Sequence, residues 1–225
     1  MILACDTSSE ICSVALCEGE KVLFHKETSG PQIHIEKLSV FLMEAMNTAR
    51  TRTSEIDKLA LAIGPGSFNG LRIGLATMKA LALSLDLPLI PVKTTDALAF
   101  GLRKTKQGTG RAVIFSHRNF VHFADYDFQT GHIPRTDGFS YEGWELLADS
   151  QIEFYFGMAE RGFADWLTGT DGAAVNSKFV PAPANAVNVA RYADTLDLDS
   201  IPGLDELEPF YNARYEAKKW VPPKF

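Results

Sequence analysis

The string most suggestive of chemistry in the 225-residue chain is Gly64-Pro65-Gly66-Ser67-Phe68-Asn69-Gly70-Leu71-Arg72-Ile73-Gly74. It follows a continuous apolar run, Leu59 to Ile63, and precedes a long apolar stretch, so it lies where a buried strand turns sharply into a helix. Backbone amides at a helix start can hold an anion, and Gly64, Gly66 and Ser67 are the candidate contacts. No Lys-Ser or Lys-Thr follows the glycines, which excludes a Walker A loop. Pro65 removes one donor and Phe68 occupies space. A tight, self-capped connection with Asn69 or Ser67 as N-cap therefore explains the string equally well.

Metal chemistry finds fewer materials. Two histidines at i and i+4 are needed for both imidazoles to reach one ion from a single helical face. His34 stands alone, with Leu38 at the second place, and His25, His117, His122 and His132 show no ligand spacing. Cys5, Cys12 and Cys17 are an odd number without C-x-x-C spacing, which predicts three reduced, mostly buried thiols in a reducing cytoplasm. The expectation is a cytoplasmic protein with no metal and no metalloprotease activity.

Composition narrows the classes further. Hydrophobic residues at 46% and charged residues at 22% exclude disorder and fibrous repeats, and a net charge of -6 argues against a lone nucleic-acid binder. The basic clusters at Arg103, Lys104, Lys106 and at Lys218, Lys219, Lys224 are expected as solvated surface, or as phosphate contacts inside a larger complex. The start of the chain lacks a basic n-region, and the most hydrophobic stretch, Leu71 to Leu89, is broken by Arg72, Lys79, Asp86 and Pro88. That predicts no export signal and no membrane span.

The elements that must position these groups come in a repeated order. Ile2 to Ala4, a polar turn from Asp6 to Glu10, Cys12 to Cys17, and a more exposed strand over Val22 to Thr28 make a three-stranded meander. Apolar residues from Leu38 to Ala49 at helical spacing predict an amphipathic helix. Two strand-helix pairs follow: Leu59 to Ile63 with Leu71 to Leu85, then Pro88 to Val92 with Thr95 to Leu102. After the basic stretch Gly101 to Gly110 the opening recurs as Ala112 to Phe115, a polar turn, Phe120 to Phe128 and a turn at Thr130-Gly131. Helix is expected over Tyr141 to Asp149 and Ala184 to Leu196, with strands at Ile152 to Phe156 and Phe179 to Pro181. A duplicated βββαβα unit points to an α/β protein of two ribonuclease-H-like lobes, residues 1–108 and 109–225, the architecture of the actin, sugar-kinase and heat-shock ATPase superfamily. In that architecture the first hairpin turn holds nucleotide phosphate, which makes Asp6, Thr7 and Ser8 candidates, although such residues also cap ordinary hairpins.

The helix from Leu71 to Leu85 carries two apolar faces. Leu71, Leu75, Met78, Ala82 and Leu85 lie on one side, Ile73, Ala76, Ala80 and Leu83 on the other, and Arg72, Lys79 and Asp86 share a narrow stripe. One sheet covers one face. The Ile73, Ala76, Ala80, Leu83 side, with Arg72 and Lys79, is the expected subunit interface, because its small residues let a partner helix approach.

At the 64–74 string the sequence resembles the TsaB (YeaZ) family, whose signature reads G-P-G-S-F-T-G-[LV]-R-I-G, with Asn69 in place of the usual Thr. The resemblance covers Ile2 to Ser8 with Ile11 to Leu16, His34 to Leu38, and Leu87 to Val92. Beyond residue 110 it is sparser. Ser116-His117-Arg118 stands where the family has Asp-Ala-Arg, so Arg118 is the kept candidate contact. Gly157-Met158-Ala159 replaces a Gly-x-Gly turn, and Glu208-Pro209-Phe210-Tyr211 resembles the family tail, with the arginine one place later at Arg214. The resemblance implies a non-catalytic subunit in the making of threonylcarbamoyladenosine in tRNA, beside a TsaD-like catalytic subunit and a TsaE-like ATPase. The second apolar face of the 71–85 helix predicts a homodimer when the chain is alone, and the net charge of -6 predicts only indirect contact with tRNA. No cofactor is expected in the isolated chain, and ATP with magnesium only at low affinity or in a complex. The alternative is a weak actin-fold ATPase or phosphotransferase, which would need an acidic residue where Ser116 stands.

Overall fold

Strand pairing divides the chain into two five-stranded sheets joined by helices in a computed structural model that describes residues 1–48, 55–129, 138–158 and 161–211. The first half runs β1 (Ile2–Asp6), β2 (Ile11–Glu18), β3 (Lys21–Ser29), α1 (Ile33–Thr48), β4 (Lys58–Gly64), α2 (Phe68–Leu85), β5 (Leu89–Lys93) and α3 (Thr94–Leu102). The second runs β6 (Thr109–Phe115), β7 (Phe120–Asp127), β8 (Ser140–Gly143), β9 (Phe154–Met158), α4 (Arg161–Thr168), α5 (Ala173–Asn176), β10 (Phe179–Pro181) and α6 (Ala186–Ala193). The sheet orders are β3-β2-β1-β4-β5 and β8-β7-β6-β9-β10. Each sheet has an antiparallel meander with two parallel strands added at its first strand, so the second order is the first with every strand number raised by five. These are two ribonuclease-H-like lobes.

Burial on both faces explains why the central strands read as continuous apolar runs. Along β1, Leu3 and Cys5 point to the side packed by α1 and α2, while Ile2 and Ala4 point to the opposite side. That opposite side is covered by α6, which comes from the second half of the chain. Ala186, Val189, Ala190 and Ala193 pack on Ala4, Ala15, Ala60 and Ala62, small residues that bring helix and sheet close. Helix α3 in turn lends Leu98, Ala99 and Phe100 to the core of the second sheet. Each sheet is thus covered partly by a helix from the other half.

The expected helix over Tyr141 to Asp149 is corrected to strand β8 followed by a single 3-10 turn, Trp144–Leu146. Tyr141 lies opposite His122 in the β7–β8 ladder, its ring 4.7 Å from His122 and 5.1 Å from Phe120. Such cross-strand aromatic pairing outweighs a short stretch of helical spacing. Helices α4 and α5 are additions that the pattern did not signal. Asp86 leaves the 72-79-86 stripe, because it terminates α2 in the left-handed conformation, φ 54°. The turn at Thr130-Gly131, His132, Ala159, Arg214 and the lysines at 218, 219 and 224 lie outside the described residues.

Candidate functional site

The first hairpin turn and the glycine string meet. Asp6 Oδ1 accepts from the Ser8 amide at 2.9 Å and the Ser8 hydroxyl at 2.6 Å, which closes the turn on itself. The Thr7 hydroxyl donates to the Gly70 carbonyl at 2.8 Å, and the Ser67 amide to the Ser8 carbonyl at 2.7 Å. Ser67 is the N-cap of α2 and accepts from the Gly70 amide at 3.3 Å. A Cβ on Gly66 would lie 2.2 Å from the Ser8 carbonyl oxygen, one on Gly70 2.0 Å from that of Thr7, and one on Gly74 2.3 Å from Thr7 Oγ1. Four-residue spacing puts these glycines on one side of the segment, where the start of α2 lies flat against the turn. Gly64, at φ 113°, faces the Phe210 carbonyl oxygen, 2.4 Å from where its Cβ would be.

Asp6, Thr7 and Ser8 are buried. Burial pushes the Asp6 carboxyl above its usual range, with smaller downward pulls from Ser8, the Asn185 amide and His34. Its Oδ2 has no hydrogen-bond partner among the described residues. His34 Nε2 is 2.9 Å from the Ser9 carbonyl oxygen and donates to it, while the buried Nδ1 has no partner among the described residues.

Beside the turn lies a cleft of about 940 Å³ between the lobes, walled by Ser9, His34, Ser67, Asn69 and Gly70 on one side and Met158 and Pro181 to Pro183 on the other. No lysine or arginine among the described residues lines it. Gly157, at φ 143°, closes its second-lobe side, because a Cβ there would sit 1.9 Å from the Val113 carbonyl oxygen. Arg118 is exposed in the β6–β7 turn at φ 57° and is not among the cleft residues. Ser116 Oγ is 3.1 Å from His117 Nδ1. Ser67, Gly66 and the Asp6 turn are therefore brought together, and Arg118 stands apart from them.

The other candidate set lies on the outside of α2. Leu71, Leu75, Met78 and Ala82 are buried, as the spacing predicted, while Leu85, expected on the same face, is half-buried at the end of the helix. Ala76, Ala80 and Arg72 are exposed, Leu83 is 72% exposed, and Ile73 and Lys79 are half-buried. Next to this face α1 presents Ile35, 68% exposed, and Met43, 56% exposed. On its other flank the segment 207–211 crosses α2. The Phe210 amide donates to the Ile63 carbonyl at 2.7 Å, and the Lys93 ammonium sits 3.2 Å from the Phe210 ring centre. Tyr211 stacks 4.9 Å from Phe68, and its hydroxyl accepts from Arg72 Nε at 3.0 Å. The Arg72 guanidinium lies 4.1 Å over the Phe68 ring. Sequence reasoning missed this wall; its only signal was the Glu208-Pro209-Phe210-Tyr211 resemblance.

Two lobes that repeat one strand order, an antiparallel meander extended by two parallel strands, define a two-lobed ribonuclease-H-like protein of the actin type. Its fold matches the YeaZ structure from Pseudomonas aeruginosa with a TM-score of 0.75 at 22% identity, over 93% of this chain and 98% of that one. The TsaB protein of Escherichia coli, a tRNA threonylcarbamoyladenosine biosynthesis protein, is 32% identical over 169 residues, 74% of this chain and 69% of that protein. The Haemophilus influenzae TsaB is 34% identical over 67% of this chain and 63% of that protein. The family model of TsaD, tRNA N6-adenosine threonylcarbamoyltransferase, matches residues 26–128. The chain belongs to the TsaB family.

Proposed function

We propose that this protein is a non-catalytic subunit that supports a TsaD-like enzyme in the threonylcarbamoyladenosine modification of tRNA. The observation that carries the reading is the solvent-facing side of α2, where Ala76, Ala80 and Leu83 are exposed, Ala80 shares a groove with the exposed Met43 of α1, and Ile73 lies by the exposed Ile35. Apolar side chains gathered on adjacent helices are the usual mark of a protein interface. The same face serves a homodimer when the partner is absent, and a TsaE-like ATPase joins the assembled complex.

The cleft supports a supporting rather than a catalytic role. With no cationic side chain among its described lining residues, it gives a triphosphate little to bind, so ATP with magnesium is held weakly in the isolated chain. The net charge of -6 leaves tRNA contact to the complex. A cytoplasmic location follows from that work. Co-purification of the tagged protein with the TsaD-like enzyme of its own organism tests the reading. Recovery of a stoichiometric complex is expected, and consistent failure to bind would overturn it.

A further inference from the structure

We infer that residues 207–211 form a releasable strap that ties the second lobe to the first beside the cleft, with Phe210 as the pin that sets how far the lobes stand apart.

The chain reaches this place by changing sides. Ile201 packs on the face of the first sheet that α6 covers, while Leu204, Leu207 and Phe210 pack on the opposite face, among side chains of α1 and α2. Leu207 is buried there and anchors the segment to the first lobe. Three residues further on, the Phe210 amide donates to the Ile63 carbonyl near the end of β4, and Gly64 leaves the room that the Phe210 carbonyl needs. The Phe210 ring, however, faces the other lobe. Its centre is 4.7 Å from that of Phe139, which immediately precedes β8 and packs against the core of the second sheet. The Lys93 ammonium, at the end of β5, lies 3.2 Å from the Phe210 ring centre and 5.7 Å from that of Phe139. One cation of the first lobe thus meets two rings, one on the strap and one on the second lobe, and each ring attracts it. The tilted ring pair is attractive in its own right.

This joint differs from the other connection between the lobes. Helices α3 and α6 bind the lobes through buried residues, Ala99 and Phe100 on one and Val189 and Ala190 on the other. In the strap Pro209, Phe210 and Tyr211 are half-buried, Glu208 is exposed, and beyond Leu207 one backbone bond, to Ile63, holds the segment among the described residues. A segment with so few buried contacts opens at a fraction of the cost of global unfolding.

Release acts on the cleft because strap and cleft share the first turn of α2. Phe68 and Arg72 hold Tyr211 on one side of that turn, whereas Ser67, Asn69 and Gly70 wall the cleft. The facing wall, Met158 with Pro181 to Pro183, belongs to the lobe that Phe139 ties down. Seated, the strap holds the two walls at one spacing. Released, it leaves the second lobe free to swing on α3 and α6 as on a hinge.

The test is a distance measurement between spin labels on cysteines introduced at two exposed positions, Glu10→Cys in the first lobe and Ala174→Cys in the second. The native Cys5, Cys12 and Cys17 are buried and stay unlabelled. Labelled chains are diluted with unlabelled ones so that pairs within a chain report. Phe210→Ala, Phe139→Ala and Tyr211→Ala are compared with the labelled parent, each checked by a melting curve. The parent should give one narrow distribution, and the three variants a broader one that reaches longer distances. Tyr211→Ala is the discriminating case, because the Tyr211 ring packs on Phe68 of the first lobe and opening there requires the strap to carry the effect. Hydrogen exchange gives a second reading: the Phe210 amide should exchange roughly tenfold faster in Phe139→Ala, although Phe139 lies on the other lobe. Unchanged distances in Phe210→Ala or in Tyr211→Ala would overturn the strap, as would unchanged exchange at Phe210 in Phe139→Ala. If Phe210→Ala does not fold, Tyr211→Ala and the exchange measurement decide by the same criteria.

Discussion

Replacing Gly70 by alanine should destabilise this protein, although the same change at an ordinary helix position stabilises. The helical preference of alanine over glycine contributes about 1 kcal/mol in favour of the variant. Against it, the new Cβ would lie 2.0 Å from the Thr7 carbonyl oxygen, a backbone atom that cannot turn away. Overpacking of this kind typically costs about 1 to 3 kcal/mol. Shifting α2 to relieve it also strains the buried bond from the Thr7 hydroxyl to the Gly70 carbonyl, worth about 1 kcal/mol. The net loss is about 2 kcal/mol, or a melting point lower by roughly 4 to 8 °C for a chain of this size. Gly74→Ala makes the control, because its Cβ meets Thr7 Oγ1, a side-chain atom, at 2.3 Å. Thr7→Ala removes that obstacle and should rescue Gly74→Ala, but not Gly70→Ala. Urea and thermal unfolding of the singles and doubles measure the couplings. If Gly70→Ala proves as stable as the wild type, or Thr7→Ala rescues both variants alike, the glycines do not serve the packing of α2 on the hairpin turn.

Three further outcomes are expected. Ala76→Arg, at an exposed position, should keep its melting curve and lose assembly with the partner in sedimentation and pull-down, since it would bury an unpaired charge in the interface; intact assembly would move the interface elsewhere. Burial, with a smaller contribution from His117, lowers the pKa of His122 from 6.5 to about 4. The unfolded chain therefore takes up this proton first on acidification. The resulting stability is complete above the unfolded value and is lost as pH falls towards about 4, a loss of about 3 kcal/mol. His122→Gln should flatten that slope in unfolding curves between neutral pH and the acid limit, and an unchanged slope would count against the assignment. Calorimetry of the isolated chain with ATP and magnesium should show no site tighter than about 0.1 mM, or roughly -5.5 kcal/mol; micromolar binding abolished by Asp6→Ala would favour an ATPase.

Local pattern carried much of the fold. The meander, the two strand-helix pairs and the repeated opening are each written in a few consecutive residues, and the 3-2-1-4-5 strand order recurs once they are paired. The buried and open sides of α2 were likewise legible from periodicity. Contacts between distant residues were not. Nothing local says that Tyr211 meets Arg72, 139 positions away, or that α6 lies on the first sheet. Strand β8 was masked by helical spacing, because its stability comes from rings on β7. The glycines at 66, 70 and 74 suggested an anion loop or a turn. Their four-residue spacing was the available sign that a helix start must lie against backbone.

The proposed role is tested most directly by the threonylcarbamoyladenosine content of tRNA, measured by mass spectrometry of nucleosides from cells depleted of this protein. The modified nucleoside should fall on depletion and return when the wild-type protein is supplied, while Ala76→Arg, folded but unable to assemble, should restore little. Unchanged modification after complete depletion would contradict the account.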